Sequence, residues 1–348
     1  EIQERLLMEQ LQLLSDSHLG KKLLRESFPK SLEEFRQTVP LTTYEDYLPY
    51  FDEKRADVLA VQPEFWICTS GKFDSYDQKW APYPAAWVQT QINNFIAAII
   101  FSICSKKGSF SLRENSSFLY AMAPPPYLTG MVPHYLKNEF PFAYLPPLAE
   151  AEKMDFDQQN LEGFRLGLHY GIDLFFGISA VLDRIGEKFV KQGIAALGQR
   201  GLSPLAWLRL CCGYLRSKLE RREFLPKDVW NLKGIICTGT DTSFYKKRIE
   251  HYWGVKPLEI YGGTEIGFAA TQTWDYNGMI LFPDVNFWEF IPEDEHFKSQ
   301  ADTNYEPRTV LFSQLEPGKR YELVVTNLKG GAFVRYRVGD MIKVLSRT

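Results

Sequence analysis

A chain of 348 residues exceeds one ordinary hydrophobic core and implies two or three packed lobes, and 45% hydrophobic residues exclude wholesale disorder. A net charge of −3 gives no bulk attraction to nucleic acid. Five cysteines, at positions 68, 104, 211, 212 and 237, are odd in number and lack metal-ligand spacing, which excludes a disulfide framework and fits reduced thiols in a cytoplasmic protein.

The five histidines form no zinc pattern, and no signal-peptide pattern is visible. The longest apolar run, 95–104, is too short to span a bilayer and reads as part of a buried helix. Aromatics are plentiful, with 25 Phe, 18 Tyr and 8 Trp, enough for a large core and a roomy apolar pocket.

Along residues 1–36, Leu6, Leu7, Leu11 and Leu14, then Leu19, Leu23 and Leu24, recur at helical spacing. Ser31 is placed as a helix cap, with Glu34 completing a capping box. In Val39-Pro40-Leu41-Thr42-Thr43-Tyr44-Glu45-Asp46, Pro40 forces extension and Thr42 or Thr43 can cap the next helix. Residues 65–69 read as a buried strand entering the small turn Ser70-Gly71-Lys72. A long core helix is expected over 85–104, then a strand over 118–122 ended by three prolines. Residues 159–197 read as two helices around a strand within 171–177. Arg216, Lys218, Arg221 and Arg222, broken by Glu220 and Glu223, read as a solvated helix face. A short strand at 234–238 delivers Gly239-Thr240-Asp241, and a helix follows over 242–253.

The next apolar run, 257–260, enters Tyr261-Gly262-Gly263-Thr264-Glu265-Ile266-Gly267. From about 278 the pattern becomes strands at 279–282, 286–291, 321–326 and 341–345 with turns between. The expected fold is therefore α/β, with an α/β body over 1–277 and a β-rich part over 278–348.

Four junctions share one design, in which an apolar strand delivers small polar residues. They are Thr69-Ser70-Gly71-Lys72, Gly239-Thr240-Asp241, Tyr261 to Glu265, and Val338-Gly339-Asp340. In open α/β sheets, ligands sit at the carboxyl ends of strands, so these junctions can converge on one ligand. The Tyr261 ring can stack on a base, Thr264 can bond a phosphate and Glu265 can hold Mg²⁺. The same stretch also reads as a plain glycine turn after a buried strand. Asp340 can accept both hydroxyls of a ribose, or cap a turn beside Arg335 or Arg337.

Tyr-Gly-Gly-Thr-Glu at 261–265 and Tyr-Arg-Val-Gly-Asp at 336–340 resemble two motifs of the adenylate-forming (ANL) superfamily. The 39–46 segment and Leu323-Val324-Val325-Thr326-Asn327-Leu328-Lys329-Gly330-Gly331 narrow the resemblance. They are similar to the plant auxin-conjugating acyl-acid amido synthetases and their bacterial relatives, near phenylacetate-CoA ligases. The resemblance implies the large N-terminal domain of an adenylate-forming enzyme, with layered α/β sheets and a β-rich C-terminal part. It implies that Tyr261 stacks on adenine, with Gly239, Thr240 and Asp241 at the adenine edge and Gly262 and Gly263 in the same loop. Thr264 would contact the α-phosphate, Glu265 would ligate Mg²⁺ and Asp340 would hold the ribose. Thr69, Ser70, Gly71 and a following lysine, Lys72, would wrap the phosphates of ATP. The implied chemistry is ATP-dependent activation of an aromatic or aliphatic carboxylic acid as an acyl-adenylate. The acyl group then passes to an amine or to CoA.

Two departures from the family pattern stand out. The residues after Gly71 are Lys72-Phe73-Asp74-Ser75-Tyr76-Asp77-Gln78-Lys79, without the family's second glycine, and Asp74 and Asp77 would repel a triphosphate. Either the loop is degenerate or part of it is missing between Gly71 and Lys72. The sequence also ends at Thr348, so the family's small C-terminal domain is expected to be absent from this chain. A competing expectation is a non-catalytic nucleotide- or acyl-binding relative. Residues 122–134 and 175–179 are candidate linings of an acyl pocket, with His134 a candidate base; ordinary core is the other reading of each. No Gly-x-Ser-x-Gly elbow, P-loop or dinucleotide fingerprint occurs.

Overall fold

The computed structural model describes residues 2–25, 28–69, 78–104, 106, 108–193, 202–239 and 242–346. Twelve strands occur among them: β1 (Phe65–Cys68), β2 (Trp80–Tyr83), β3 (Ser117–Ala121), β4 (Ala143–Leu145), β5 (Leu174–Ile178), β6 (Gly234–Thr238), β7 (Leu258–Gly263), β8 (Gly267–Thr271), β9 (Ile280–Leu281), β10 (Asn286–Pro292), β11 (Arg320–Asn327) and β12 (Tyr336–Lys343). They form a β1-β2 hairpin, a three-stranded sheet in the order β10-β11-β12, and a seven-stranded sheet in the order β4-β3-β5-β6-β7-β8-β9.

The chain divides into two compact units. The first gathers Glu1–Asn93, Gly262–Ala269 and Leu281–Thr348; the second holds Asn94–Tyr261 and Ala270–Ile280.

In the second unit, β3 pairs in parallel with both β4 and β5, and parallel pairing continues through β6 to β7. Strands covered by helices on both faces read as continuous apolar runs. Accordingly β3 is buried along its whole length, and only the last residue of β5 is exposed. Helices Phe156–Tyr170, Ser179–Gln192, Pro204–Leu219 and Thr242–Trp253 contribute to this unit. Phe164, Phe175, Trp230 and Trp253 form its aromatic centre, with ring centroids 5.6 Å apart for Phe164–Trp253 and for Trp230–Trp253. The two helices expected around a strand near 171–177 are Phe156–Tyr170 and Ser179–Gln192, flanking β5.

In the first unit, β10, β11 and β12 are antiparallel neighbours. The expected long helix is Ala85–Ile103, its residues up to Asn93 in the first unit and the rest in the second. Ser31 does cap the helix Leu32–Thr38, its Oγ accepting from the Glu34 N–H at 3.2 Å. The Glu34 carboxylate reaches the Lys30 N–H at 2.8 Å, one residue short of the reciprocal bond of a capping box. Thr43 begins a 3₁₀ turn, its N–H donating to Asp46 Oδ2, whereas Thr42 pairs with Tyr336 at the start of β12. The strand expected at 341–345 starts earlier, at Tyr336, because β11 pairs with residues 336–337 and Thr42 pairs with Tyr336.

Among the described residues, no helix is long and apolar enough to cross a membrane.

Candidate active site

The hairpin β1-β2 returns the chain so that Lys79 faces Thr69. The Thr69 N–H donates to the Lys79 carbonyl at 2.9 Å, and the Lys79 N–H donates to Thr69 Oγ1 at 3.1 Å. The Tyr44 hydroxyl grips the next residue, accepting from the Trp80 N–H and donating to the Trp80 carbonyl. Burial, reinforced by the Glu265 charge against the Trp80 hydrogen bond, pushes the Tyr44 phenol up to about 12. It therefore stays protonated and able to donate at any ordinary pH. Ser70, Gly71 and Lys72, and the suspected gap between the last two, lie outside the described residues.

A tight turn joins β7 to β8, with the Ile266 N–H donating to the Gly263 carbonyl. Thr264 and Glu265 occupy its two central positions. Gly262 is required here, since a Cβ on it would stand 2.5 Å from the Gly267 carbonyl oxygen. Gly267 itself has φ +66°, the left-handed region that favours glycine.

The turn is tied down from several directions inside the first unit. The Tyr83 hydroxyl donates to the Thr264 carbonyl at 2.9 Å. Asn327 Nδ2 donates to the Glu265 carbonyl at 3.0 Å, and Asn286 Nδ2 donates to the Ile266 carbonyl at 2.9 Å. Thr264 Oγ1 donates to the Cys68 carbonyl at 3.3 Å, which couples the turn to the end of β1. That bond is long for a hydroxyl donor, so the hydroxyl can readily be re-aimed at a better acceptor.

The Glu265 side chain is held through one oxygen. Oε1 accepts from the Tyr336 hydroxyl at 3.0 Å and lies 3.5 Å from the Lys79 ammonium. Tyr336 is buried, its ring packed 4.7 Å from that of Phe333. Burial first, then the Glu265 carboxylate, pushes its phenol far above the usual tyrosine range, so it remains a donor. Beside it, Arg335 takes φ +43°, sustained by bonds from its guanidinium to Glu289 and to the Arg36 carbonyl.

Asp340 lies within β12 and not after it. Glu322 pairs with Met341 and Val324 with Arg337, so Val338-Gly339-Asp340 bulge opposite Leu323. Such a bulge re-aims side chains out of the ladder. Gly339 supplies φ +86° and Asp340 is exposed.

In the second unit, Tyr261 and Gly239 continue the adjacent parallel strands β7 and β6, whose last aligned pair is Cys237 with Glu259. Both therefore stand at the carboxyl edge of the sheet, Tyr261 half-buried and Gly239 exposed with φ +120°. Thr240 and Asp241 lie outside the described residues. Phe175 and Phe176 are wholly buried in the core. The cavity lined by Tyr120, Pro124, Pro133, His134, Glu152 and Gln159 measures about 20 Å³, room for about one water. His134 Nε2 lies 3.4 Å from Glu152 Oε1.

Lys79, Tyr336, Asn286, Asn327 and Tyr44 were not singled out from the sequence as site residues. Lys79 could have been found by folding β1 back on β2, which sets it opposite Thr69.

No group of three or more His, Cys, Asp or Glu capable of holding a metal occurs among the described residues. Mg²⁺ with a nucleotide needs only one or two carboxylates, because phosphates and water complete its shell. Glu265 fits that requirement, since its side-chain bonds among the described residues both fall on Oε1 and leave Oε2 for a cation.

The GH3 family N-terminal domain matches residues 1–123 and the GH3 family central domain matches residues 279–348, together more than half of the chain. An indole-3-acetic acid-amido synthetase of Arabidopsis thaliana, GH3.10, is 23% identical over 377 residues, covering 90% of this chain and 62% of that protein. The structure of AtGH3.15 acyl acid amido synthetase in complex with 2,4-DB superposes with TM-score 0.67 at 16% identity, over 99% of this chain and 65% of that one. An open conformation of 2-hydroxyisobutyryl-CoA ligase, in complex with 2-HIB-AMP and CoA, gives TM-score 0.58 at 15% identity, over 97% of this chain and 68% of that one. The chain thus spans a little under two thirds of the Arabidopsis relative and of the amido synthetase structure, and it shares their fold. With two domains of one family matched at its two ends, the chain belongs to the GH3 family.

Proposed function

We propose that this chain performs the carboxylate-activating half of an acyl acid amido synthetase reaction. The observation that carries the reading is the convergence of Thr69, Lys79, Thr264 and Glu265 on one hydrogen-bonded turn and hairpin mouth. A carboxylate oxygen of the acid would attack the α-phosphorus of ATP. The bond to the bridging oxygen then breaks, and pyrophosphate leaves with its electron pair. An amine nitrogen would next attack the acyl carbon, forming the amide, releasing AMP and losing a proton to solvent.

The residues present supply charge and placement and no nucleophile. Lys79 stands where a phosphate chain can meet its ammonium, at the mouth of the β1-β2 hairpin. Thr264 can turn its hydroxyl from the Cys68 carbonyl to a phosphate oxygen. Preorganised donors of this kind act on charge that develops during phosphoryl transfer. Mg²⁺, when bound, would neutralise phosphate charge, and Glu265 is the residue that would hold it. Asp340, in the same unit, would serve the ribose. Relatives named as amido synthetases favour an amine acceptor over CoA.

The test is carboxylate-dependent exchange of labelled pyrophosphate into ATP across a panel of aromatic and aliphatic acids. Exchange with at least one acid supports the reading. ATP binding without exchange for any acid would favour a non-catalytic nucleotide-binding relative.

A further inference from the structure

Glu265 Oε1 has two neighbours of different kinds, an ammonium on a long aliphatic stem and a phenol on a packed ring. Lys79 Nζ is 3.5 Å away, on a flexible four-carbon stem at the mouth of the hairpin. The Tyr336 hydroxyl is 3.0 Å away, on a ring clamped by Phe333 and Tyr47. The backbone under that ring is fixed as well. The Thr42 N–H donates to the Arg335 carbonyl and the Arg337 N–H donates to the Thr42 carbonyl, both at 2.9 Å.

The consequence follows from charge. A triphosphate reaching the hairpin mouth offers Lys79 more negative charge than Glu265 does, and the ammonium can follow it by rotating its stem. Glu265 would then lose its counter-charge just when a divalent cation arrives. A carboxylate free to swing would have to be re-ordered at the cost of its rotamer freedom.

We propose that Tyr336 is a positioning residue whose hydroxyl holds Glu265 by Oε1 while Lys79 exchanges that carboxylate for the phosphates, leaving Oε2 presented to the divalent cation. This rests on the carboxylate-activation reading above. Tyr336 touches neither nucleotide nor acid in this account and acts only through Glu265.

The test is ATP binding by titration calorimetry with the whole chain, once in EDTA and once at saturating Mg²⁺, for the wild type, Tyr336→Phe and Lys79→Gln. Tyr336→Phe keeps the packed ring and removes only the hydroxyl. It is expected to leave affinity in EDTA within about twofold and to reduce the gain on adding Mg²⁺ by about tenfold, the usual size of an outer-shell effect on a metal site. Lys79→Gln is expected to do the reverse, weakening binding in EDTA and keeping most of the Mg²⁺ gain. An undiminished Mg²⁺ gain in Tyr336→Phe overturns the inference. So does an equal loss with and without Mg²⁺, which marks a purely structural role. If the wild type binds ATP and gains from Mg²⁺ while Tyr336→Phe matches it, only the inference fails. If the wild type binds no ATP in either condition, the carboxylate-activation reading fails and the inference falls with it.

Discussion

Both units have apolar cores, but among the described residues most of the buried charged side chains fall in the first. The centre of the second is aromatic and apolar, built on Phe164, Phe175, Trp230 and Trp253. The first buries Asn286, Glu289, Glu322, Thr326, Asn327 and Arg335 in and beside its three-stranded sheet. Burying such groups is costly unless each is bonded, and here each is. Glu289 accepts from Arg36, Thr309 and Arg335. Glu322 accepts from Arg337 and pairs with His296. Asn286 and Asn327 bond each other and the turn that carries Glu265. The Thr326 hydroxyl accepts from the Arg335 N–H. Apolar packing tolerates small shifts, whereas a directional bond fixes a position. The bonded network of the first unit thus holds named atoms in place.

That contrast can be broken by substitution. Glu265→Ala has the largest expected effect, a loss of about 1,000-fold in Mg²⁺-dependent exchange with the fold retained. Exchange rate and circular dichroism together check it. Glu289→Ala should follow, destabilising by about 3 kcal/mol because Arg335 and Arg36 are left around an unfilled site. Denaturant unfolding measures it, and a cost under about 1 kcal/mol would show that the buried network is dispensable.

Glu322→Gln should cost about 2 kcal/mol at pH 7. Burial alone would raise the Glu322 carboxyl, but Arg337 and His296 outweigh it and hold the group below the ordinary value of 4.5. A lowered folded value means that the stabilisation is complete above the ordinary glutamate range. It is lost as pH falls through that lowered value. The gap between wild type and Glu322→Gln should therefore close in acid, and a gap that persists there contradicts the assignment.

The sequence revealed the elements better than the ties between them. Apolar and aromatic runs sufficed to find Ala85–Ile103 and β3, β5, β6, β10 and β11. The start of β12 was missed, since Val338-Gly339-Asp340 reads as a turn when it is a bulge. The 39–46 segment read as an extended stretch before a helix cap and as a mark of family, without its long-range ties. In the fold, Thr42 pairs with Tyr336 and Tyr44 grips Trp80, so the segment joins the strand of one motif to the hairpin of another. Such pairings span from 36 to nearly 300 residues and leave no local pattern. Thr264, Glu265 and Thr69 were legible because glycine turns and adjacent polar residues are local. Lys79, Tyr336 and Asn327 become visible only once the strands are paired.

The smallest expected effect is also the most direct test of the contrast between units. Asn327→Ala removes the donor to the Glu265 carbonyl, and Phe164→Ala opens the aromatic core of the second unit. Pyrophosphate exchange should be measured for both, per folded molecule and well below each melting temperature. Asn327→Ala is expected to lose about tenfold through misplacement of the turn. Phe164→Ala, although less stable by about 3 kcal/mol or more, should keep its rate within about twofold. Losses that simply track stability in both variants would contradict the contrast.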